Sequence, residues 1–265
     1  MIKNKAKLMI GVLSLGIVFG ACSNKNDKAN PSSASTLSTS SKESKKSNEE
    51  NKNSTVSKKD QGKVVDGSIN SEILKQNWKY KVYLPNGYDE KSDEKYPVLY
   101  MLHGFGENSS SILEKSNTKD VLDKIMKDKE KKMIVVFVDG FTSFFIDSDY
   151  DKNMESAIKN ELIKEIDENY KTDSNKNSRA IGGISVGGYG AASISLKNPD
   201  LFTKALLISP TLWDKLDEDS LIRRNYLAFS DGIQNWSDEV YKEKFPTNFI
   251  NAESKDIDFY IRSAE

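Results

Sequence analysis

One stretch of the sequence joins a nucleophile to a local geometry that would expose it. Gly182-Gly183-Ile184-Ser185-Val186-Gly187-Gly188-Tyr189-Gly190 follows a short strand-compatible run, 178–181, and opens a small-residue segment, 191–196, that reads as helix. Within it, Gly183-x-Ser185-x-Gly187 is the nucleophile-elbow pattern, in which a strand turns sharply into a helix with a strained serine at the apex. The glycines two before and two after the serine leave room for the turn and for close helix–strand approach. A helix N-terminus behind the serine aims backbone N–H groups and a positive dipole end at the place where an oxyanion would develop. A second glycine-rich turn, His103-Gly104-Phe105-Gly106, follows the apolar run 97–102. Such a turn lets backbone N–H groups point into a cleft, and enzymes with an elbow draw their second oxyanion donor from a loop of this kind.

A serine hydroxyl is a weak nucleophile until a base takes its proton. The sequence holds one histidine, His103, and it precedes the serine. A base must come within hydrogen-bond reach of that proton. The place of His103 in the glycine-rich turn argues instead for a structural role, hydrogen-bonded to backbone. Asp256 and Asp258 lie before or within the last strand candidate and are poor choices for a catalytic acid.

The elements that must position these groups read as alternating strand and helix. Residues 78–84 alternate Trp78, Tyr80, Val82 and Leu84 with Lys79, Lys81 and Tyr83, the two-residue period of a half-buried strand. Pro97 to Leu102, Met133 to Val138 and Ala205 to Ile208 are short apolar runs, as expected of strands covered on both faces. Helical spacing is expected from Ser111 to about Lys129 and from Asn153 to Tyr170, where the apolar stripe is core. Residues 211 to about 255 show no clear period and are expected to form irregular helices partly covering the site, before a last strand at 257–261. The pattern implies an α/β fold with a mostly parallel sheet flanked by helices.

Balanced charge, 39 Lys and Arg against 40 Asp and Glu, gives no reason to expect a nucleic-acid partner. Lys3, Lys5 and Lys7 precede an uncharged, mostly apolar run, 8–21, that is short for a membrane span and ends in Phe19-Gly20-Ala21-Cys22. This resembles a bacterial lipoprotein signal, residues 1–22, in which Cys22 becomes lipidated; the alternative is a secretory signal with an incidental cysteine. Residues 23–64, rich in Ser, Lys and Asn, have too few apolar side chains to offset their ordering entropy and are expected to be a tether. The globular domain is expected over 65–265. Cys22 is the only cysteine, so no intrachain disulfide can form.

The runs Pro97 to Gly106, Glu161 to Tyr170 and Arg179 to Ala192 together resemble the α/β-hydrolase esterase family, which includes esterase D, feruloyl and acetylxylan esterases, tributyrin esterases and mycolyltransferases. The resemblance covers roughly 79–265. It implies that Ser185 is the nucleophile, that the Phe105 and Val186 N–H groups form the oxyanion hole, and that His103 and Gly104 shape the oxyanion loop. It places Asp139-Gly140-Phe141 and Phe144-Phe145 near the acyl or leaving-group pocket. In this family the triad runs Ser, then Asp or Glu, then His. No histidine follows Ser185, so the expectation is an α/β-hydrolase fold truncated at its C-terminus, its acid at or just beyond Glu265 and its base further on. The implied activity is hydrolysis of a small-molecule or polysaccharide-linked ester at the outer face of a bacterial membrane, by a lipid-anchored protein, with no metal or organic cofactor. Two alternatives stand beside it: a non-catalytic surface binding protein derived from a hydrolase, and an acyltransferase.

Overall fold

The computed structural model describes residues 61–115 and 117–263. The expected leader with Cys22 and the expected tether up to residue 60 lie outside the described residues, as does Glu265.

Seven strands form one sheet: β1 (Lys63–Ser71), β2 (Gln76–Leu84), β3 (Val98–Leu102), β4 (Ile134–Val138), β5 (Arg179–Ile184), β6 (Lys204–Ile208) and β7 (Asp258–Arg262). Their order across the sheet is β1-β2-β4-β3-β5-β6-β7. β1 and β2 form an antiparallel hairpin and β2 pairs antiparallel with β4; every other pairing is parallel. Crossover helices cover both faces, which is why β3 and β4 carry unbroken apolar runs. On one face lie α3 (Met154–Ala157), α4 (Ile163–Asn169) and α5 (Val186–Lys197); on the other lie α1 (Ser111–Lys115) and α2 (Thr118–Ile125). The stretch Ile158–Leu162 joins α3 to α4 as a π-helical turn, so the expected helix from residue 153 to 170 is present with one widened turn.

Helix α5 is buried along eleven of its twelve residues, all but Lys197. A helix that is small or apolar all round belongs inside. It packs on β5 and β6 with its N-terminus at the carboxyl ends of the parallel strands, where open α/β sheets carry their sites. The start of β5 is pinned by Arg179, which donates to the Asp167 carboxylate at 2.9 Å and to the Ser174 and Leu201 carbonyls at 3.0 and 3.3 Å.

Four expectations need correction. β1 begins at Lys63, two residues ahead of the expected domain start, and periodicity missed it because Val64, Val65 and Ile69 are its only large apolar residues. The helix expected over 111–129 is two helices, since Asn117 turns left-handed at φ 46°, a conformation Asn tolerates better than most residues. The elbow strand runs on through the glycine pair to Ile184, directly before the serine, instead of ending at Ile181. The last strand is shifted by one residue, to Asp258–Arg262.

β1 is an edge strand and is held at its start by a buried carboxylate. Asp123 of α2 accepts from the Gly62 N–H at 2.7 Å, the Tyr83 hydroxyl at 2.8 Å and the Lys119 ammonium at 2.7 Å. Removing an acceptor from buried donors costs their desolvation as well as the bonds. Asp123→Ala is therefore expected to destabilise the fold by about 2–4 kcal/mol in urea denaturation, and Asp123→Asn by less. A loss under about 0.5 kcal/mol for the alanine variant would show that β1 is not anchored there.

Candidate active site

Ser185 stands between β5 and α5 with φ 55° and ψ −116°, a backbone conformation that a side chain adopts only under compulsion. Its neighbours supply that compulsion. The Ser185 N–H donates to the Ile208 carbonyl at 3.0 Å, and the Ser185 carbonyl accepts from the N–H groups of Gly188, Tyr189 and Thr211 at 2.9, 3.2 and 3.1 Å. The flanking glycines are required by contact. A β-carbon on Gly183 would lie 2.1 Å from the Gly187 carbonyl oxygen. One on Gly187 would lie 2.4 and 2.5 Å from the carbonyl oxygens of Leu102 and His103. The first turn of α5 thus rests directly on the backbone where β3 ends.

That contact brings the glycine-rich loop beside the serine. A β-carbon on Gly104 would sit 3.7 Å from the Ser185 Cβ. Within the described residues, neither the Phe105 N–H nor the Val186 N–H donates to any protein acceptor, and both belong to the segments that flank Ser185. The Phe105 side chain lies over Tyr226, ring centroids 5.3 Å apart, and stays partly exposed.

His103 is almost wholly buried. The Gly140 N–H donates to its Nε2 at 2.9 Å, so that nitrogen is unprotonated and Nδ1–H donates to the Gly104 carbonyl at 2.9 Å. The ring meets the edge of Phe145 at 5.1 Å. Both nitrogens are therefore spent on backbone, and the imidazole ties the end of β3 to the end of β4. Burial lowers its pKa, against the opposing pull of the Gly104 carbonyl, Asp139 and Glu107, so the ring is neutral in the fold.

Phe144 and Phe145, expected near a pocket, are core side chains, exposed by only 1% and 0%. Phe144 belongs to an aromatic cluster with Tyr189, Tyr226, Phe229, Trp236 and Tyr241, which fastens the segment 211–245 to α5. That segment carries α6 (Leu221–Asn225) and α7 (Asp238–Glu243), the irregular helices expected there. Periodicity could not find Tyr226, since its stretch has none. Asp256 lies in a short turn and Asp258 opens β7, where it is exposed and pairs with Lys204, so neither approaches the serine. β7 carries the chain back to the level of the elbow, where the Ser209 N–H donates to the Arg262 carbonyl at 2.6 Å.

A protein-family model described as Esterase matches residues 71–244, from the end of β1 through α7, and so takes in the elbow, the glycine-rich loop and the aromatic segment. The chain belongs to this esterase family. It is 37% identical over 129 residues to an endo-1,4-beta-xylanase/feruloyl esterase of Xylanibacter ruminicola, an alignment that covers 46% of this chain and 18% of that protein. The endo-1,4-beta-xylanase Y of Acetivibrio thermocellus is 22% identical over 173 residues, 56% of this chain and 16% of the relative. The chain thus spans less than a fifth of the length of these curated relatives. Among solved structures, a ferulic acid esterase superposes with a TM-score of 0.61 at 21% identity, covering 77% of this chain and 90% of its own. The ferulic acid esterase of Anaeromyces mucronatus superposes with a TM-score of 0.53 at 21% identity, over 77% and 83% of the two chains. At these identities the likeness speaks to fold, and the fold of this chain is that of an α/β-hydrolase.

The neutral His103 has a consequence for stability. Its unfolded counterpart titrates near 6.5, while the folded ring resists protonation. Below that pH the unfolded state binds more protons, so stability rises with pH across the window and is lost as pH falls through 6.5. The urea midpoint is expected to be flat above about pH 7 and to decline below 6.5. His103→Gln should be less stable at pH 7.5 yet lack that decline; equal declines in both proteins would assign the effect to other groups.

Proposed function

We propose that this protein is a serine carboxylic-ester hydrolase whose substrates are hydroxycinnamoyl or acetyl esters, carried on small molecules or on plant polysaccharide. The observation that carries the reading is the strained Ser185 flanked by two unpaired N–H groups, Phe105 and Val186. In this reading the Ser185 Oγ attacks the ester carbonyl as its proton passes to a base. The carbonyl oxygen becomes an oxyanion held by the two N–H groups, and collapse of the tetrahedral species expels the alcohol. Water then attacks the acyl-serine and releases the acid. The names of the relatives support the acyl class, and Phe105 offers an exposed ring at the loop where an aromatic acyl group would arrive. The reading extends to an extracytoplasmic protein held at the membrane by a lipid on Cys22, with residues 23–60 as spacer.

The base is not His103, because both its nitrogens are engaged with backbone, and the sequence contains no other histidine. That engagement is the observation that keeps a second reading, a binding protein on a hydrolase scaffold, beside the first. Two measurements on this chain test the esterase reading. Methyl ferulate is expected to shift the amide resonances of Phe105 and Val186 in a titration; shifts elsewhere but not there would overturn the esterase reading. Hydrolysis of p-nitrophenyl acetate by this chain is expected to be slow and to change less than about tenfold in Ser185→Ala, since residual catalysis from the oxyanion hole and binding needs no triad. A large Ser185-dependent rate would show that some other group serves as base.

A further inference from the structure

The loop between β3 and α1 has several N–H groups, and only one of them needs to face the serine. Where the others go decides which one is offered. The Gly104 N–H donates to the Glu107 Oε2 at 3.0 Å, and the Glu107 N–H donates back to the Gly104 carbonyl at 3.3 Å. This reciprocal pair closes a tight turn that Gly106 completes at φ 67°. The Asn108 N–H is taken by the Ser111 Oγ at 3.0 Å, and the Gly106 N–H lies beside the buried Tyr226 hydroxyl. The Phe105 N–H, directly after Gly104, meets no protein acceptor within the described residues. The other Glu107 oxygen is held by Lys115 of α1, Nζ to Oε1 3.0 Å.

The position of this carboxylate is otherwise unfavourable. The point where a Gly104 β-carbon would lie is 3.3 Å from the Glu107 Oε2 and 3.7 Å from the Ser185 Cβ. A negative charge there opposes any anion at the serine, so what Glu107 contributes must be geometric, and the Lys115 ammonium offsets its charge. We propose that Glu107 is a positioning residue for the oxyanion loop. It withdraws the Gly104 N–H from the site and fixes the turn so that the Phe105 N–H is the loop's donor toward Ser185, with Lys115 holding and neutralising the carboxylate. The inference rests on the role proposed above for the Phe105 N–H.

The two features of the side chain, acceptor and charge, separate in substitution. Glu107→Gln keeps an acceptor for Gly104 and loses the charge; Glu107→Ala loses both; Lys115→Met leaves the charge unopposed. Amide exchange in the ligand-free protein reads the lock itself. The Gly104 amide is expected to be protected in the parent and in Glu107→Gln, and to exchange at least about tenfold faster in Glu107→Ala, the scale of one hydrogen bond to a charged acceptor. Ferulate binding reads the consequence, because its carboxylate seeks the same N–H groups as an oxyanion. Glu107→Ala should bind about tenfold or more weaker, Glu107→Gln as tightly as the parent or tighter, and Lys115→Met weaker. Equal weakening in the Gln and Ala variants, or none in Ala, overturns the proposal. Should ferulate fail to bind the parent at this site, the hydroxycinnamoyl-ester reading fails by itself, and Gly104 exchange still decides whether Glu107 is the lock. Melting temperatures check the fold of each variant; if Glu107→Ala does not fold, Glu107→Asp, one methylene short of Gly104, replaces it.

Discussion

The structure depends on one backbone-to-backbone approach. The first turn of α5 sits on the carbonyls of Leu102 and His103 with no space for a side chain between them, so Gly187 is dictated by contact. From that seat follow the crowding of Gly183 against Gly187, the left-handed serine between them, and the nearness of the Gly104 loop. A strained residue of this kind costs about 1–3 kcal/mol and persists only where its surroundings over-determine it. Here four backbone hydrogen bonds to the peptide groups of Ser185 do so, two of them reaching β6 and the segment after it. The sheet supplies the rigidity behind them, since β5 is paired on both sides by parallel strands in continuous register.

How much could be read from the amino acids alone follows from what each element uses to hold itself. β3 and β4 are covered on both faces and therefore appear as short unbroken apolar runs, visible without any neighbour. The elbow is legible because its constraint is steric and falls on residues close in sequence: glycine is needed at 183 and 187, and glycine is there. β1 was illegible because its pairing with β2 and the anchor at Asp123 do what apolar alternation does elsewhere. The break at Asn117 was hidden for a related reason, since the apolar stripe continues past it on both sides. Tyr226 is placed by an aromatic cluster whose members are scattered from residue 144 to 241, and no local pattern announces that. Glu107 is a polar residue in a loop, and its bond to Gly104 shows only once the turn is built.

The site is organised by backbone more than by side chains. Its candidate anion donors are two main-chain N–H groups, its candidate nucleophile is aimed by φ and ψ, and its one histidine is consumed in joining two strand ends. Such a construction suits a reaction in which charge develops on a carbonyl oxygen, because fixed dipoles need no reorganisation as the charge appears. It also divides labour between the two halves of the chain. The sheet and α5 fix the serine, while the segment 211–245 reaches the loop through the contact of Tyr226 with Phe105.

The solitary imidazole has a use beyond architecture. A chain with one histidine gives one set of imidazole signals, free of overlap, from a ring bonded to Gly104 on one nitrogen and Gly140 on the other. Its two ring nitrogens differ in protonation, so their 15N shifts separate, and each reports a different strand end. Any movement of the loop beside Ser185 would appear first at Nδ1, and any slippage of the β4 exit at Nε2. The protein thus carries a native spectroscopic reporter bonded to the loop beside Ser185, with no label to introduce.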